Sequence, residues 1–411
     1  MTLSWRVTTQ PKSAVTTKLD AMLVPPARFR HPIDAPDPAA HRHYGRFLKD
    51  PTSKVWREQA DALAAALYQG DPLMDAWVQK AHTLDADEAE RLFERALASE
   101  PGTPIEGPDE LVALFRQLHT IPLWVDPPTL VLGCRTARRA GPVAGAVLSC
   151  FSLMGGYRSS AVAKTLAMTG KLRYGASRRL TDTGKFVIAL TEPGALHAPG
   201  EGFRAVVRVR QVHARVRYGL SRSSKWQTES WGLPINQADM LGTNLLFSMG
   251  YLVGARVFGV SFTPEESESV IHLWRYVGYL IGVDETLLPA SEREAGRVMY
   301  LVEASQPPPD ADSIALAQAL HHDPMDRATT EIAKRYARVE MAIRSGVSRM
   351  LLGDEVADAL ELPKTAVRYG LYGVPPVVAA IERLRKVAPF GDEIAYRLGE
   401  RWIKMAISSR A

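Results

Sequence analysis

Cysteine is nearly absent from this sequence: Cys134 and Cys150 are the only two in 411 residues. No disulfide framework can therefore hold the fold. That scarcity fits a reducing compartment, and a cytoplasmic location is the expectation. The opening stretch MTLSWRVTTQPKSAVTTKLD lacks the basic patch, apolar run and small-residue cleavage site of a secretory signal. No segment offers the roughly 20 uninterrupted apolar residues that a membrane-spanning helix needs. The nearest, 244–262, is broken by Arg256 and several glycines and reads as a buried core helix. Strand signals are also thin. The β-branched runs are 185–190 and 205–209, and the second lies inside a longer helical pattern. Internal repeats, low-complexity tracts, Gly-rich phosphate loops and zinc motifs are all missing.

What is present is helical period and ample apolar material. Hydrophobic residues make up 46% of the chain and charged residues 23%, with a formal net charge of only +5, which points to no polyanionic partner. Residues 1–50 are rich in Pro, Arg and His without apolar periodicity, and are expected to form an extended arm. From residue 51 onward the spacing changes. Trp56, Ala60, Leu63 and Leu67 recur at the three- and four-residue intervals of one buried helix face. Residues 86–99 and 109–118 follow the same rule, the first opened by Asp85 or Asp87 as N-cap. The proline-dense stretch 121–128 predicts a break. Residues 143–168 and 237–258 are apolar on every side, as helices surrounded by others are. Thr263 and Pro264 predict the start of a helix over 265–281. Further helices are expected at 291–304, 311–321, 325–345, 363–388 and 393–407. The fold class is all-α, with 51–411 as one multi-helix domain.

The most informative stretch is 202–226. It holds Arg204, Arg208, Arg210, Arg215, Arg217, Arg222 and Lys225 and not one acidic residue. Within it Val206, Arg210, His213 and Arg217 share a helical face. Three readings are open at this point: a solvated basic face, a phosphate-binding surface for nucleic acid, or a haem site. In the last, a neutral imidazole binds iron while arginines pair with the propionates. Neighbouring guanidiniums suppress protonation of a histidine, which suits a metal ligand. Upstream, Arg179 and Thr183 lie four apart and would point the same way from a helix. They could orient an oxygen species or a propionate, or Thr183–Gly184 could simply end the helix.

Together these elements resemble the haem-dependent oxygenases that include the latex-clearing (rubber oxygenase) proteins and the fungal mycophenolate-pathway chain-cleaving enzymes. The matching residues are IPLWVDPPTL from 121, GYRS at 156–159, TGKLRYGASRRLTDTGKF at 169–186, VRVRQVHARVR at 207–217, WGLPINQADMLGT at 231–243 and FTPEESESVIHLWRYVGYLIGVDETLLP at 262–289. The resemblance implies an all-α fold with a globin-like core and haem b held by His213 as proximal ligand. It implies Arg210 and Arg217 as the flanking arginines, Arg179 and Thr183 near the haem, and Thr243 as a further threonine of the pocket. It also implies O₂ as co-substrate. Arg179, Thr183 and Asp182 are the candidate catalytic positions. Asp182 is a departure, because the rubber-cleaving members carry a lysine there, and their distal glutamate has no counterpart around 159–164. No Cys-x-x-Cys-His motif is present, so the haem would be non-covalent.

The expected function is haem-dependent oxygenation of a hydrophobic, alkene-containing substrate of isoprenoid or lipid type, with oxidative cleavage of a carbon–carbon double bond as the implied reaction. Two alternatives stand beside it: a haem peroxidase or monooxygenase acting on a small metabolite, and a non-catalytic haem-binding protein. Nucleic acid is not an expected partner. Cys150 reads as a buried structural cysteine rather than a thiolate ligand. His321, His322 and Asp323 read as surface polar residues, and His272 as a satisfied core histidine with a distal role in reserve.

Overall fold

The computed structural model describes residues 24–34, 36–48, 54–169 and 176–408, and every regular element among them is helical. In chain order the helices are α1 (Pro38–Tyr44), α2 (Lys54–Ala66), α3 (Pro72–Ala81), α4 (Ala86–Leu97), α5 (Asp109–His119), α6 (Pro127–Arg139), α7 (Pro142–Val147), α8 (Met154–Gly156) and α9 (Ser160–Met168). There follow α10 (Ala176–Leu190), α11 (Glu201–Leu220), α12 (Thr228–Trp231), α13 (Gln237–Leu245), α14 (Tyr251–Val257), α15 (Pro264–Leu280) and α16 (Glu292–Ala304). The C-terminal group is α17 (Ala311–Asp326), α18 (Glu331–Leu352), α19 (Asp354–Ala359), α20 (Val367–Leu371), α21 (Val374–Val387) and α22 (Gly391–Ser408).

Side-chain caps set many of these limits. Asp85 accepts from the backbone N–H groups of Asp87 and Glu88 at the start of α4, satisfying donors that the first turn leaves open. Thr263 and Glu266 form a reciprocal capping box on α15, with Pro264 in the first turn. The break at 121–128 is real but shorter than expected. Asp126 caps α6 and Pro127 and Pro128 open it, since proline costs nothing where no intrahelical donor is needed. The strand-like run 185–190 is helical, carried by its packing against α11. The expected single helix over 363–388 is broken, because the chain turns between α20 and α21.

The N-terminal arm needs correction as well. Residues 1–23 lie outside the described residues, but 38–44 form α1 rather than an extended strap. Asp37 caps it through the N–H groups of Ala39 and Ala40, and Ala40 and Tyr44 are wholly buried as it packs on α16.

The centre of the molecule is built where α13, α14 and α15 meet α6, α7 and α16. These helices bury Leu241, Leu245, Leu252, Val270, Leu273 and Leu280 almost completely. Two helical stretches widen into π turns here, Leu148–Leu153 and Leu246–Gly250, and they pack on each other. The Ser152 hydroxyl donates to the Leu246 carbonyl at 2.7 Å across that contact. Single π turns inside α-helices concentrate at functional sites, and both of these border the cavity described next.

Candidate active site

Helix α11 carries the candidate iron ligand, and acidic residues from elsewhere in the chain brace it. Arg210 is buried and donates Nε and Nη2 to the Asp71 carboxylate at 2.6 and 2.9 Å. Its third nitrogen reaches the side-chain oxygen of Gln117 at 2.9 Å. Asp71 also caps α3, so one carboxylate ties the two helices together. Two turns on, Arg217 makes the same kind of fork with Asp75 at 2.8–3.0 Å and donates to the Ile235 carbonyl at 2.5 Å. Arg208 pairs with Glu94 at 2.6 Å and Arg215 with Glu90 at 2.9 Å. The expectation that Arg210 and Arg217 serve propionates meets a different arrangement, since carboxylates of α3 already use their forks. The stretch that contains no acid in sequence thus has four of its seven cations, Arg208, Arg210, Arg215 and Arg217, paired with carboxylates brought in from Asp71, Asp75, Glu90 and Glu94.

His213 sits between these two arginines on α11. Its Nδ1 is buried and has no hydrogen-bond partner among the described residues. Burial, and next the nearby Arg217, push its imidazole down to a pKa of about 4, against a smaller opposing pull from Asp71. At neutral pH the ring is therefore uncharged and able to donate a lone pair.

Helix α10 packs along α11. From it comes Arg179, whose three guanidinium nitrogens are all buried and unpartnered among the described residues. A buried cation left without an anion is costly. Arg179 lies near Tyr157, whose hydroxyl is pushed up by burial and held back by the guanidinium. On the same helix Thr183 lines a cavity of about 250 Å³ with Leu180, Val187, Ile188, Leu148 and Leu153, and with Phe247, Tyr251 and Trp274 from the centre of the molecule. Phe247 and Trp274 stack there at 5.1 Å. The sequence marked Thr183, but not the aromatic wall, because those aromatics are spread over separate helices.

Other predicted positions fall outside this region. Asp182 is exposed, 3.6 Å from Arg178 one turn before it, and lines an outer groove with Lys185, Arg204 and Arg208. It turns away from the cavity that Thr183 faces, since consecutive helical residues diverge by about 100°. Thr243 is exposed, and its hydroxyl returns to the Asp239 carbonyl at 2.8 Å. Residues 170–175 of the matching segment lie outside the described residues. His272 accepts from the Asp126 N–H at 3.0 Å beside Trp124, a satisfied position that leaves the reserve role unsupported. The Cys150 thiol is buried and its pKa raised by burial, as a structural cysteine's would be. His321 and Asp323 are not surface residues. Both are buried, with Arg344 donating to Asp323 at 3.1 Å, because α17 is sandwiched by α9, α10 and α18. Among the described residues no cluster of three or more His, Cys, Asp or Glu could hold a metal ion, and no helix is long and apolar enough to cross a membrane.

Residues 138–380, more than half of the chain, match the catalytic-domain model of the family described as ER-bound oxygenase mpaB/B'/rubber oxygenase. The chain belongs to this family. It is an oxygenase, as the family's members are described. A curated relative, the rubber oxygenase of Streptomyces sp. (strain K30), is 25% identical over 362 residues, covering 81% of each chain. A solved structure of a latex clearing protein in the closed state superposes with a TM-score of 0.63 at 20% identity, covering 82% of this chain and 91% of that one. The all-α fold read from the sequence is thereby matched in three dimensions.

Proposed function

We propose that this oxygenase uses a non-covalent haem b held by His213 and acts on a hydrophobic, alkene-containing substrate bound in the cavity below Thr183. One observation carries the haem assignment. A histidine whose Nδ1 is buried and whose ring stays neutral lies on the helix packed against α10, and the buried guanidinium of Arg179 on α10 has no anion among the described residues. The two groups fit the two chemistries of haem, a metal that wants a neutral nitrogen and carboxylates that want a cation. The likeness to a rubber oxygenase supports an isoprenoid-like substrate, and the apolar lining of the cavity suits one.

Bound haem would supply the redox chemistry that activates O₂. The chain's own residues have separate tasks. His213 offers its ring nitrogen, kept unprotonated by burial and by Arg217. The Arg210–Asp71 and Arg217–Asp75 forks hold α11 rigid, so the imidazole cannot drift. Arg179 supplies the fixed positive charge for an anionic group. Thr183 gives the cavity wall a hydroxyl, while Phe247, Tyr251 and Trp274 exclude water and hold an apolar chain. The peroxidase or monooxygenase alternative drew on the Asp182 departure, and that residue lies at the surface.

The test is the visible absorption spectrum of the purified protein with a pyridine haemochrome assay, alongside His213→Ala. A Soret band present in the wild type and lost in the variant is the expected result. A wild type that stays colourless when haem is supplied would refute the assignment. For the reaction, labelled O₂ supplied with an unsaturated isoprenoid should place both atoms of one molecule in carbonyl products. Label in a single hydroxyl would favour the monooxygenase.

A further inference from the structure

The family match ends at residue 380, yet the cavity is lined in part by residues beyond it. Trp402 and Ile403 of α22 line it together with Thr183 and Leu148. This helix is fastened to α6 mainly by polar contacts. Arg138 of α6, buried at 4% exposure, pairs with Glu400 of α22 and, at 2.7 Å, with Glu192 just after α10. Arg135 reaches Glu393 at 2.5 Å and lies 4.2 Å from the ring centre of Tyr396. A Cβ at Gly399 would collide with the Arg138 carbonyl oxygen, so α22 rests directly on the last turn of α6. A Cβ at Gly145 would likewise collide with the far edge of the Trp402 ring, so the tip of the indole abuts α7 with no slack.

These contacts fix the helix backbone at the cavity and leave a rigid aromatic group as part of its wall. The cavity volume of about 250 Å³ falls below the roughly 300–1,000 Å³ of ordinary small-molecule sites. Removing the indole would enlarge it.

We propose that Trp402 is a specificity-determining residue whose indole forms the end wall of the cavity and limits the length of apolar chain it accepts. The inference rests on the reading of this cavity as the substrate site. It assigns the choice of substrate to a helix outside the matched catalytic domain, so members with a common oxygen chemistry could differ in the chain they take through this one element.

The test uses the full chain as purified, with geraniol, farnesol and geranylgeraniol as probes of increasing length in calorimetric titrations. The wild type should bind farnesol more tightly than geranylgeraniol. In Trp402→Ala the order should reverse, with geranylgeraniol gaining about tenfold, the scale set by extra apolar groups in a fitted pocket. Trp402→Phe should fall between and keeps the helix docked, which guards against loss of α22 in the alanine variant. Val187→Trp, which fills the cavity from α10, is the control for the site. If Val187→Trp abolishes binding but neither Trp402 variant changes the ranking, the end-wall assignment is overturned and the cavity reading stands. If the wild type binds none of the probes, or binds them regardless of Val187→Trp, the cavity reading fails and the end wall with it.

Discussion

The arginines of α11 and the arginine at the start of α10 come from equally basic stretches, and the fold treats them in opposite ways. Arg210 and Arg217 are buried with their forks closed on Asp71 and Asp75. Arg179 is buried with no described partner at all. A guanidinium whose donors are all used braces the fold, whereas one whose donors are all idle is kept for something else. Two further arginines fill out the series. Arg158 is shared between Asp37 and Glu303, and Arg178 lies beside the exposed Asp182. The environment of each cation, not its place in a basic run, decides what its removal costs.

The largest effect should come from the closed fork. Asp71→Ala leaves Arg210 charged, buried and half unpaired, and should cost about 3–5 kcal/mol, read as a fall in the denaturant midpoint. Replacing both partners, Asp71→Leu with Arg210→Met, should recover much of that loss, because no charge then remains buried. A loss below about 1 kcal/mol in the single variant, the size of an exposed pair, would erase the distinction between brace and site.

The shared arginine comes next, and it is testable by pH. Burial raises the Glu303 carboxyl from 4.5 to about 7, outweighing Arg158 at 3.7 Å, while Asp37 adds to the rise. Between those two values the folded state holds a proton that the unfolded state has lost. The stability contributed by this group is therefore greatest below about pH 4.5 and is lost as pH rises to about 7. Glu303→Gln should flatten that slope and be more stable than wild type at pH 8, by on the order of 2 kcal/mol. Parallel pH profiles of the melting temperature for the two proteins would show that Arg158 satisfies both carboxylates after all.

This contrast also marks what could be read from the sequence. Local signals were legible. Asp85 and Thr263 announced their helices, and Trp56, Ala60 and Leu63 do form one buried face. Arg210, His213 and Arg217 share one helix, as their spacing predicts. Non-local signals were not. Asp71 and Asp75 lie 139 and 142 residues before the arginines they close on, and nothing in a ten-residue helix advertises such partners. Whether a guanidinium is paired depends on the packing of α3 against α11, so Arg210 and Arg179 look alike until both are placed. The π turns at Leu148–Leu153 and Leu246–Gly250 leave no compositional mark either, and the aromatic wall depends on helices far apart in the chain.

A smaller effect is expected at Arg179, and its sign is the informative part. Arg179→Leu removes a buried unpartnered cation, so the protein without haem should be unchanged or more stable, by about 1–2 kcal/mol. Haem retention should weaken at the same time, seen as faster transfer of haem to a scavenging apo-globin. Destabilisation on the scale of Asp71→Ala would mean that Arg179 is a brace like the others.

The smallest effect belongs to Asp182, where the residue type departs from the rubber-cleaving pattern. Its carboxylate is 62% exposed and lies 3.6 Å from an Arg178 that is 87% exposed, so solvent screens the pair. Asp182→Asn should change stability by less than about 0.5 kcal/mol. It should also leave the haem spectrum and the binding of prenyl alcohols unaltered, because the side chain faces the outer groove with Lys185 and Arg208 rather than the cavity of Thr183. A shifted Soret band in this variant would place the outward face of α10 in contact with the haem, and the division between idle and surface arginines along that helix would have to be redrawn.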